Sequence, residues 1–328
     1  MDIDLRPLNA DDLPAWARLL ADVEMVDDTG EHYSQADLAE EMANPDLDPR
    51  RDMVGAFLAD GSMAGYWCVY PRGGVEDCHQ IQMEGTVAPV LRGNGLGSRL
   101  AEQMKARGLA VHAERHPRLP ALLSVRGLSR NHEQERLLAG IGLLPSRWSF
   151  GMSVELTGRT PGPAPRLPDG LELREYDDAI TDAMREAHNA AFVDHPDFAP
   201  WTVQMWKQWV TGSRSFRPAL SRVVVEQDRP ERVVAYVQSN EYDADFEATG
   251  RREAYVAKVG TRREHRGKGL AGALLAHCLG LYRAAGYEVA SLDVDSENPT
   301  GALGIYERAG LQVRRRWTSY AVRVPPGA

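Results

Sequence analysis

The sequence predicts two tandem domains of the α/β class, and three observations lead to this prediction. The chain has 328 residues, a length at which about two domains are expected. A glycine-rich segment, residues 91–97, recurs in altered form at 265–271. Each copy follows a β-like run, Gln82–Val87 or Ala254–Val259, and precedes an amphipathic helical run. Strand and helix therefore alternate around the same loop in each half.

The two halves also match outside the glycine-rich segments. Two pairs of segments lie 168 residues apart (171 minus 3 and 310 minus 142), namely Ile3–Arg6 with Leu171–Arg174 and Gly142-Leu143 with Gly310-Leu311. This constant offset indicates that a whole domain was duplicated, since solenoid repeats have much shorter periods. Residues 157–170 are rich in proline and glycine, which is typical of an extended linker. We therefore expect one domain over 1–156 and another over 171–328.

In the second half, alternating apolar and polar residues predict strands, and apolar residues at helical spacing predict helices. The expected elements in chain order are strand Leu171–Tyr176, helices Asp182–Phe192 and Thr202–Val210, strands Ser221–Glu226, Arg232–Ser239 and Glu253–Thr261, a helix with the apolar stripe Leu270, Leu274, Leu275, Cys278 and Leu281, and strands Val289–Val294 and Val313–Val322. Between the last two strands, Asn298 and Pro299 are typical of a helix start and Gly310 of a helix end.

The first half begins in the same order. The expected elements are strand Ile3–Pro7, helices Asp11–Val26 and Ser34–Ala43, and strands Met53–Leu58 and Met63–Tyr70. Both halves therefore place an antiparallel meander before the glycine-rich loop.

A glycine-rich turn between a strand and a helix directs backbone N–H groups at one spot beside the positive end of the helix. Such a turn can hold a phosphate. Two alternatives stay open. Gly267-x-Gly269-x-x-Gly272 also fits the dinucleotide fingerprint, although a Rossmann domain has it in its first strand–helix unit. A tight turn that needs positive φ would use the same glycines. A Walker loop is excluded, because no Gly-Lys-Ser/Thr is present.

Both loops fit the pattern Arg-x-x-Gly-x-Gly/Ala, and with the element order they resemble the coenzyme A loop of the GNAT superfamily of N-acetyltransferases. The resemblance implies a mixed, mostly antiparallel sheet flanked by helices in each half, and acetyl-CoA as the cofactor. The cofactor residues implied in the second half are Val259, Gly260, Thr261, Arg266, Gly267, Lys268, Gly269, Leu270, Ala271 and Asn298. Those implied in the first half are Val87, Arg92, Gly93, Asn94, Gly95, Leu96 and Gly97.

The implied reaction is acyl transfer from a thioester to an amine, which needs a base, an oxyanion donor and an acid for the departing thiolate. Glu253 lies thirteen residues before Arg266, as the base does in histone-type members of the superfamily. Tyr306 lies in a segment similar to the family's Asn…Tyr…Gly-Phe segment, where the tyrosine is near the sulfur. A backbone N–H around Val259 or Gly260 would meet the oxyanion. The alternatives are a solvated ion pair for Glu253 and a core aromatic for Tyr306.

The acceptor is expected to be the primary amine of a small molecule. The family covers its acceptor groove with the region that here contains Phe192, Asp194, His195, Trp201, Trp206 and Trp209. Tryptophans at helical spacing are also typical of a core. Segments Asn189–Phe192 and Glu253–Val256 resemble the second domain of the mycothiol synthase group of tandem members.

The first half departs from this pattern in its chemistry. Leu138 stands four residues before Gly142, where the second half has Tyr306 before Gly310. His79 stands thirteen residues before Arg92, where the second half has Glu253. Glu84 is nearby, but strand alternation directs it to the face opposite His79. We expect this half to hold acetyl-CoA and to contribute packing rather than catalysis.

The composition argues against several classes of function. A net charge of −9 argues against a nucleic-acid partner, and no apolar run is long enough for a membrane span. Three cysteines without metal-ligand spacing give neither a zinc site nor a disulfide framework, so we expect no metal and a cytoplasmic location. We expect a monomer, in which the tandem domains form a pseudo-dimer, or a weak homodimer.

The prediction is therefore an acetyl-CoA-dependent N-acetyltransferase with its chemistry in the second half. A non-catalytic acyl-CoA-binding sensor is the alternative, because the first half lacks the acid.

Overall fold

The computed structural model describes residues 3–72, 75–158, 166–195, 198–296 and 301–327. The chain divides into two compact units. Unit 1 comprises Met1–Trp148 and Arg316–Ala328, and unit 2 comprises Ser149–Arg315. Within the described ranges, no helix has the length and apolarity that a membrane crossing requires.

Unit 1 is a mixed sheet with helices on both faces. Its strands are β1 (Asp4–Pro7), β2 (Met53–Phe57), β3 (Met63–Pro71), β4 (His79–Val87) and β5 (Ala121–Leu128), followed in the sheet by residues 317–324 of β12 (Gln312–Val324). Its helices are α1 (Leu13–Asp27), α2 (Gln35–Met42), α3 (Pro49–Asp52), α4 (Leu96–Arg115) and α5 (His132–Gly140). Only β4 and β5 pair in parallel.

Unit 2 repeats this plan. Its sheet order is β7 (Leu171–Glu175), β8 (Arg222–Glu226), β9 (Arg229–Asn240), β10 (Glu253–Thr261), β11 (Val289–Asp295) and residues 149–155 of β6 (Leu144–Glu155). Its helices are α6 (Thr181–Phe192), α7 (Val203–Trp206, continued by a π-helical turn to Thr211), α8 (Asp243–Thr249), α9 (Leu270–Ala284) and α10 (Ala302–Arg308). Here β10 and β11 are the parallel pair. The expected mixed, mostly antiparallel sheet flanked by helices is confirmed.

The units are not the contiguous segments expected from the repeat. Residues 149–155 of β6 pair with β11 in unit 2, although they end the first sequence repeat. Residues 317–324 of β12 pair with β5 in unit 1, although they end the second. The last strand of each sequence repeat therefore belongs to the unit formed mainly by the other repeat. The alternation of side chains along β6 and β12 is compatible with pairing in either sheet. The expected boundaries at 156 and 171 describe the sequence repeat, and part of the linker, 159–165, lies outside the described residues.

Two further details differ from the prediction. Helix α8 lies between β9 and β10, where no helix was expected. The β8–β9 hairpin is tighter than expected, because Glu226 pairs with Arg229 and leaves only two residues in the turn. The expected apolar stripe of α9 is confirmed for Leu270, Leu274, Leu275 and Cys278, which are buried in the core beneath β10 and β11.

Candidate active site

The glycine-rich loop of unit 2 joins β10 to α9. Gly267 and Gly269 have φ angles of +74° and +78°, in the left-handed region that favours glycine. A Cβ atom at either position would meet nothing within 4 Å, so the loop surface is open. The first bond of α9 runs from the N–H of Ala273 to the carbonyl of Gly269. The N–H groups of 270–272 therefore lack helical acceptors and are available to an anion.

The loop of unit 1 has the same geometry. Gly93 and Gly95 have φ angles of +77° and +81°, and the N–H of Arg99 bonds the carbonyl of Gly95 as α4 begins. The side chains of Leu96 in this loop and Leu270 in the other are buried, so only their backbone can face a ligand. Asn94 is exposed, and its amide donates to the carbonyls of Leu91 and Arg92 at 3.3 Å. Lys268 is exposed at the corresponding position.

The arginines of the two loops bind groups at the C-terminal ends of α6 and α1. Arg266 bonds Asp194 at 2.8 Å and the carbonyl of Ala191 at 2.7 Å. Arg92 forms two bonds with Asp27, at 2.7 and 2.8 Å. The charges of these two arginines are therefore paired with carboxylates.

Strand β10 carries a β-bulge. Its register with β9 shifts between Val256 and Lys258, which leaves Ala257 without a partner in the ladder. Pairing with β11 ends nearby, at Tyr255 and Ser291. A bulge exposes backbone polar groups and redirects side chains. The unpaired backbone thus lies at Ala257, two residues before the expected Val259, which pairs with Val237.

The bulge determines which side chains of β10 share a face. Ala254 and Val256 pack in the core with α9, so Glu253 and Tyr255 point to the opposite face. After the extra residue, Lys258 returns to that same face, where its ammonium lies 4.7 Å from the ring centroid of Trp201.

Glu253 begins β10 and is partly buried. It accepts a hydrogen bond from the Ser291 hydroxyl on the adjacent parallel strand. This contact places the carboxylate beside the point where β10 and β11 separate. Sequence reasoning did not identify Ser291, since only the register of β10 and β11 shows that the two side chains meet.

Tyr306 lies on α10 and is 8% exposed, in the same core as Val256 and Leu292. Burial raises the pKa of its hydroxyl to about 12. The Cys278 thiol in that core is also raised, to a pKa of about 12, again by burial. Asn298, the other residue taken from this segment, lies outside the described residues.

The remaining expected cofactor residues lie at the end of the strands. Val87 is buried and Val259 partly buried, each in the core beneath its own loop helix. The Thr261 hydroxyl oxygen is buried and, among the described residues, has no hydrogen-bond partner. This orphaned group beside an open glycine-rich loop fits a site for a polar, anionic cofactor.

An aromatic cluster covers the face of unit 2 opposite α9. His188 on α6 contacts the rings of Phe192, Phe198, Trp201 and Trp206, at centroid distances from 4.6 to 5.8 Å. Its Nδ1 lies 2.6 Å from the hydroxyl of Tyr236 on β9. Asn189 bonds both the N–H and the carbonyl of Trp201, which fixes that ring. Sequence reasoning missed His188 and Tyr236, because 48 residues separate them.

Other residues expected in the acceptor region have structural contacts. Trp206 is in the core, Trp209 is 39% exposed, and His195 stacks on Phe192. Asp194 binds Arg266 and Arg263, and these ion pairs lower the pKa of its carboxyl. Within the described ranges, no group of three or more acidic, histidine or cysteine side chains is arranged to hold a metal ion.

Unit 1 differs from unit 2 at the matching strand. The register of β4 with β3 runs without a shift from Ile81 to Val87, so this strand has no bulge. His79 consequently faces α4, fully buried, with its Nδ1 3.3 Å from that of His112. Without the extra residue, Gln80 rather than His79 points to the face that Glu253 occupies in unit 2. The equivalence expected between His79 and Glu253 is therefore wrong in orientation.

Glu84 lies on the opposite face from His79, as expected. It accepts hydrogen bonds from the hydroxyls of Tyr66 at 3.2 Å and Tyr70 at 3.1 Å. The Tyr70 hydroxyl also lies 3.1 Å from Glu41. Burial raises the pKa of both carboxyls, and their mutual repulsion contributes for Glu41. Leu138, at the position of Tyr306, is buried and supplies no acid.

Comparison with known proteins agrees with this geometry. Residues 180–311 match the Acetyltransferase (GNAT) family. The chain is 34% identical to a mycothiol acetyltransferase of Thermobispora bispora over 239 residues, which cover 71% of this chain and 72% of the relative.

Two solved structures share the fold over nearly the whole chain. One is a GCN5-related N-acetyltransferase from Sphaerobacter thermophilus, with a TM-score of 0.78, 27% identity and coverage of 99% of this chain and 97% of that one. The other is a tandem GNAT protein from the clavulanic acid biosynthesis pathway, with a TM-score of 0.72, 15% identity and full coverage of both chains. The second likeness is one of fold.

Proposed function

The chain belongs to the GNAT acetyltransferase family, and on that basis we propose that unit 2 transfers an acetyl group from acetyl-CoA to the primary amine of a small molecule. The observation that carries the proposal is the bulge at Ala257, where β10 leaves β11 and ends in an open glycine-rich loop. In that arrangement β10 and β11 would form a crevice, with free loop amides at one end and Glu253 and Ser291 at the other.

The donor side of this crevice suits an acyl-CoA. The backbone of Gly267–Ala271 would hold its pyrophosphate, and the buried Thr261 hydroxyl would gain a partner there. When bound, the thioester supplies an activated acyl group and a thiolate that can leave. The backbone at Ala257, which has no partner in the ladder, would donate a hydrogen bond to the acyl oxygen as its negative charge develops.

Glu253 and Tyr306 are the proposed proton acceptor and donor. Glu253, oriented by Ser291, would take the proton that the amine must lose in order to attack. Tyr306 keeps its proton at neutral pH, because burial raises its pKa to about 12. In the donation step the O–H bond of Tyr306 would break and an S–H bond would form on the departing thiolate, leaving the electron pair on the Tyr306 oxygen.

The acceptor would lie on the face that carries Glu253, Tyr255 and Lys258. The aromatic cluster around Trp201 borders this face, which suits an organic amine with an apolar or sugar surface. Relatives are named mycothiol acetyltransferases, so an amine related to mycothiol is our first choice of acceptor.

The test is release of free thiol from acetyl-CoA with a panel of amines that includes the mycothiol precursor. We expect Glu253→Gln and Tyr306→Phe each to reduce turnover at least about tenfold, since positioned acids and bases contribute on that scale or more. Glu247→Gln, on an exposed residue of α8, is the matched control and should retain full turnover. Full activity in both site variants would refute these assignments.

For unit 1 we propose binding of acyl-CoA without catalysis. Its loop has the same positive φ angles, but β4 lacks the bulge and Leu138 replaces the acid. Calorimetric titration of the chain with CoA should give two binding sites, and a single site would mean that unit 1 is purely structural. In a separate measurement, sedimentation should show a monomer.

A further inference from the structure

A buried carboxylate lies at the end of β8, against the turn that leads into the glycine-rich loop of unit 2. Glu226 is buried, and its Oε1 accepts a hydrogen bond from Nη1 of Arg232 at 2.5 Å. The same oxygen lies 3.3 Å from Nε2 of His265, and the other carboxylate oxygen lies 2.5 Å from Nη2 of Arg229. His265 directly precedes Arg266, the arginine of the loop. Glu226 therefore links β8 and β9 to the start of the loop.

Arg232 makes a second link to the same turn. Its Nη2 donates to the Glu264 carboxylate at 2.5 Å, while its Nη1 is held by Glu226. Two consecutive residues of the turn are thus tied to the strands through one buried carboxylate. The glycines that follow have no comparable contacts, because a Cβ atom at Gly267 or Gly269 would meet nothing within 4 Å. The direction of the loop is therefore set by residues that flank its glycines.

A glycine-rich loop binds an anion well when its amides already point to one place. Glycine loses more conformational freedom on ordering than any other residue, so an unrestrained loop would be ordered at the expense of binding energy. Holding residues 264 and 265 before the cofactor arrives removes part of that loss. Fastening the turn should therefore strengthen the binding of a pyrophosphate to the loop.

Unit 1 forms the same loop without a carboxylate at this place. Leu91 stands directly before the arginine of its loop, where unit 2 has His265. Leu58 lies 168 residues (226 minus 58) before Glu226, which is the offset of the repeat. Both leucines pack against the core of unit 1, and the glycines of that loop still have positive φ angles. The loop conformation therefore does not require an ion pair, and buried ion pairs are in general weak contributors to stability.

We propose that Glu226, acting through His265 and Arg232, is a positioning residue that holds the glycine-rich loop of unit 2 in the orientation that binds the pyrophosphate of the acyl donor. This role concerns donor binding and involves no proton transfer, which we assign to Glu253 and Tyr306. The inference rests on the proposed function and adds to it the group that prearranges the donor site.

The first test measures affinity by calorimetric titration with CoA. It uses a Gly93→Val background, in which the loop of unit 1 is disturbed and unit 2 accounts for the binding. Glu226→Gln keeps the shape of the side chain but removes its charge. CoA should then bind about tenfold more weakly, which is the scale of one contact with a charged group. An unchanged dissociation constant would overturn the proposal.

Glu241→Gln is the matched control. The side chain of Glu241 is 14% exposed, against 11% for Glu226, and it too is bonded by two arginines, Arg217 at 2.9 Å and Arg252 at 3.1 Å. Both variants should lower the midpoint of urea unfolding, but only Glu226→Gln should weaken CoA binding. Equal losses of affinity would show that Glu226 acts through stability alone and would refute the positioning role.

Two variants of His265 test the link through the imidazole. His265→Gln places an amide nitrogen where Nε2 lies and should retain the affinity for CoA. His265→Leu introduces the residue type that unit 1 has at this position and should bind CoA about tenfold more weakly, as Glu226→Gln does. Full affinity in His265→Leu would contradict this link.

The second test needs no cofactor. The amides of Arg262, His265 and Arg266 donate to backbone carbonyls at 2.8 to 3.1 Å. Hydrogen exchange in a peptide covering 262–266 should become several-fold faster in Glu226→Gln and stay unchanged in Glu241→Gln. Equal exchange in the two variants would count against the hold of Glu226 on the loop, even if CoA bound to neither unit. Absence of CoA binding in the unmodified chain would instead count against the proposed function.

Steady-state kinetics give the third readout. Glu226→Gln should raise KM for acetyl-CoA about tenfold and leave kcat within about twofold, because the interaction that it removes acts on the ground state and the transition state alike. A lower kcat with an unchanged KM would place Glu226 in the chemical step and contradict the proposal.

Discussion

Units 1 and 2 have the same glycine-rich loop but differ in the strand that leads to it. Both loops place two glycines at positive φ and free the first amides of a helix. Strand β10 carries an extra residue at Ala257, and β4 does not. The loop geometry is therefore present in both units, whereas the bulge before it is present in unit 2 alone among the two matching strands.

The single extra residue also determines which side chains can act. In unit 2 the bulge brings Glu253, Tyr255 and Lys258 onto one face. In unit 1 regular alternation turns His79 into the core against α4, while Glu84 is held by two tyrosine hydroxyls on the other face. Thus His79 and Glu253 each lie thirteen residues before the arginine of their loop, yet their side chains point to opposite faces of the strand. We therefore propose that cofactor binding and catalysis depend on separable features of the same fold.

Deleting Ala257 should have the largest effect. The deletion makes β10 as regular as β4, while Glu253 and Tyr255 stay on the face that carries Lys258, because only the extra residue is lost. It also removes the unpaired backbone group, so we expect thiol release to fall by about 10²–10³-fold, the cost of losing one oxyanion donor. Ala257→Gly keeps the bulge and should stay within about threefold of the unmodified turnover. A deletion variant that folds by circular dichroism and retains near-full turnover would contradict the role of the bulge.

A matched pair of loop variants should separate binding in the two units. Valine is strained at positive φ, so Gly267→Val and Gly93→Val should each disturb one loop. We expect each variant to lose one CoA site in calorimetric titration, and only Gly267→Val to lose turnover, by about tenfold or more. If Gly93→Val reduced turnover as much as Gly267→Val does, the two units would not differ as we infer.

Local patterns were sufficient to predict much of the fold and the position of the loops. The repeat, the strand order and the helix after each loop follow from periodicity and glycine placement, as Gly267 and Gly269 show. The exchange of the last strands could not be predicted, because β6 and β12 alternate in the same way whichever sheet they join. The bulge was missed because Ala257 has no sequence signature. His188 and Tyr236 meet only through the packing of α6 on β9, and that contact is invisible to local patterns.

The smallest effect on function is expected at His79, which is buried on the face of β4 that packs against α4. Burial, together with His116 and His112, lowers the pKa of His79 to about 4 from its ordinary 6.5. The unfolded chain therefore binds more protons than the folded one between these values. Stability is greatest above pH 6.5 and falls as the pH drops toward 4, by up to about 3 kcal/mol.

His79→Gln should weaken the dependence of stability on pH. The measurement is urea unfolding at several pH values, with hydrogen exchange in peptides of β4 and α4 as the readout. His132→Gln, on an exposed histidine of α5, should leave it unchanged. An equal acid sensitivity with and without His79 would show that its burial does not distinguish β4 from β10 energetically. A flattened profile would show that the burial of His79 against α4 makes unit 1 sensitive to acid.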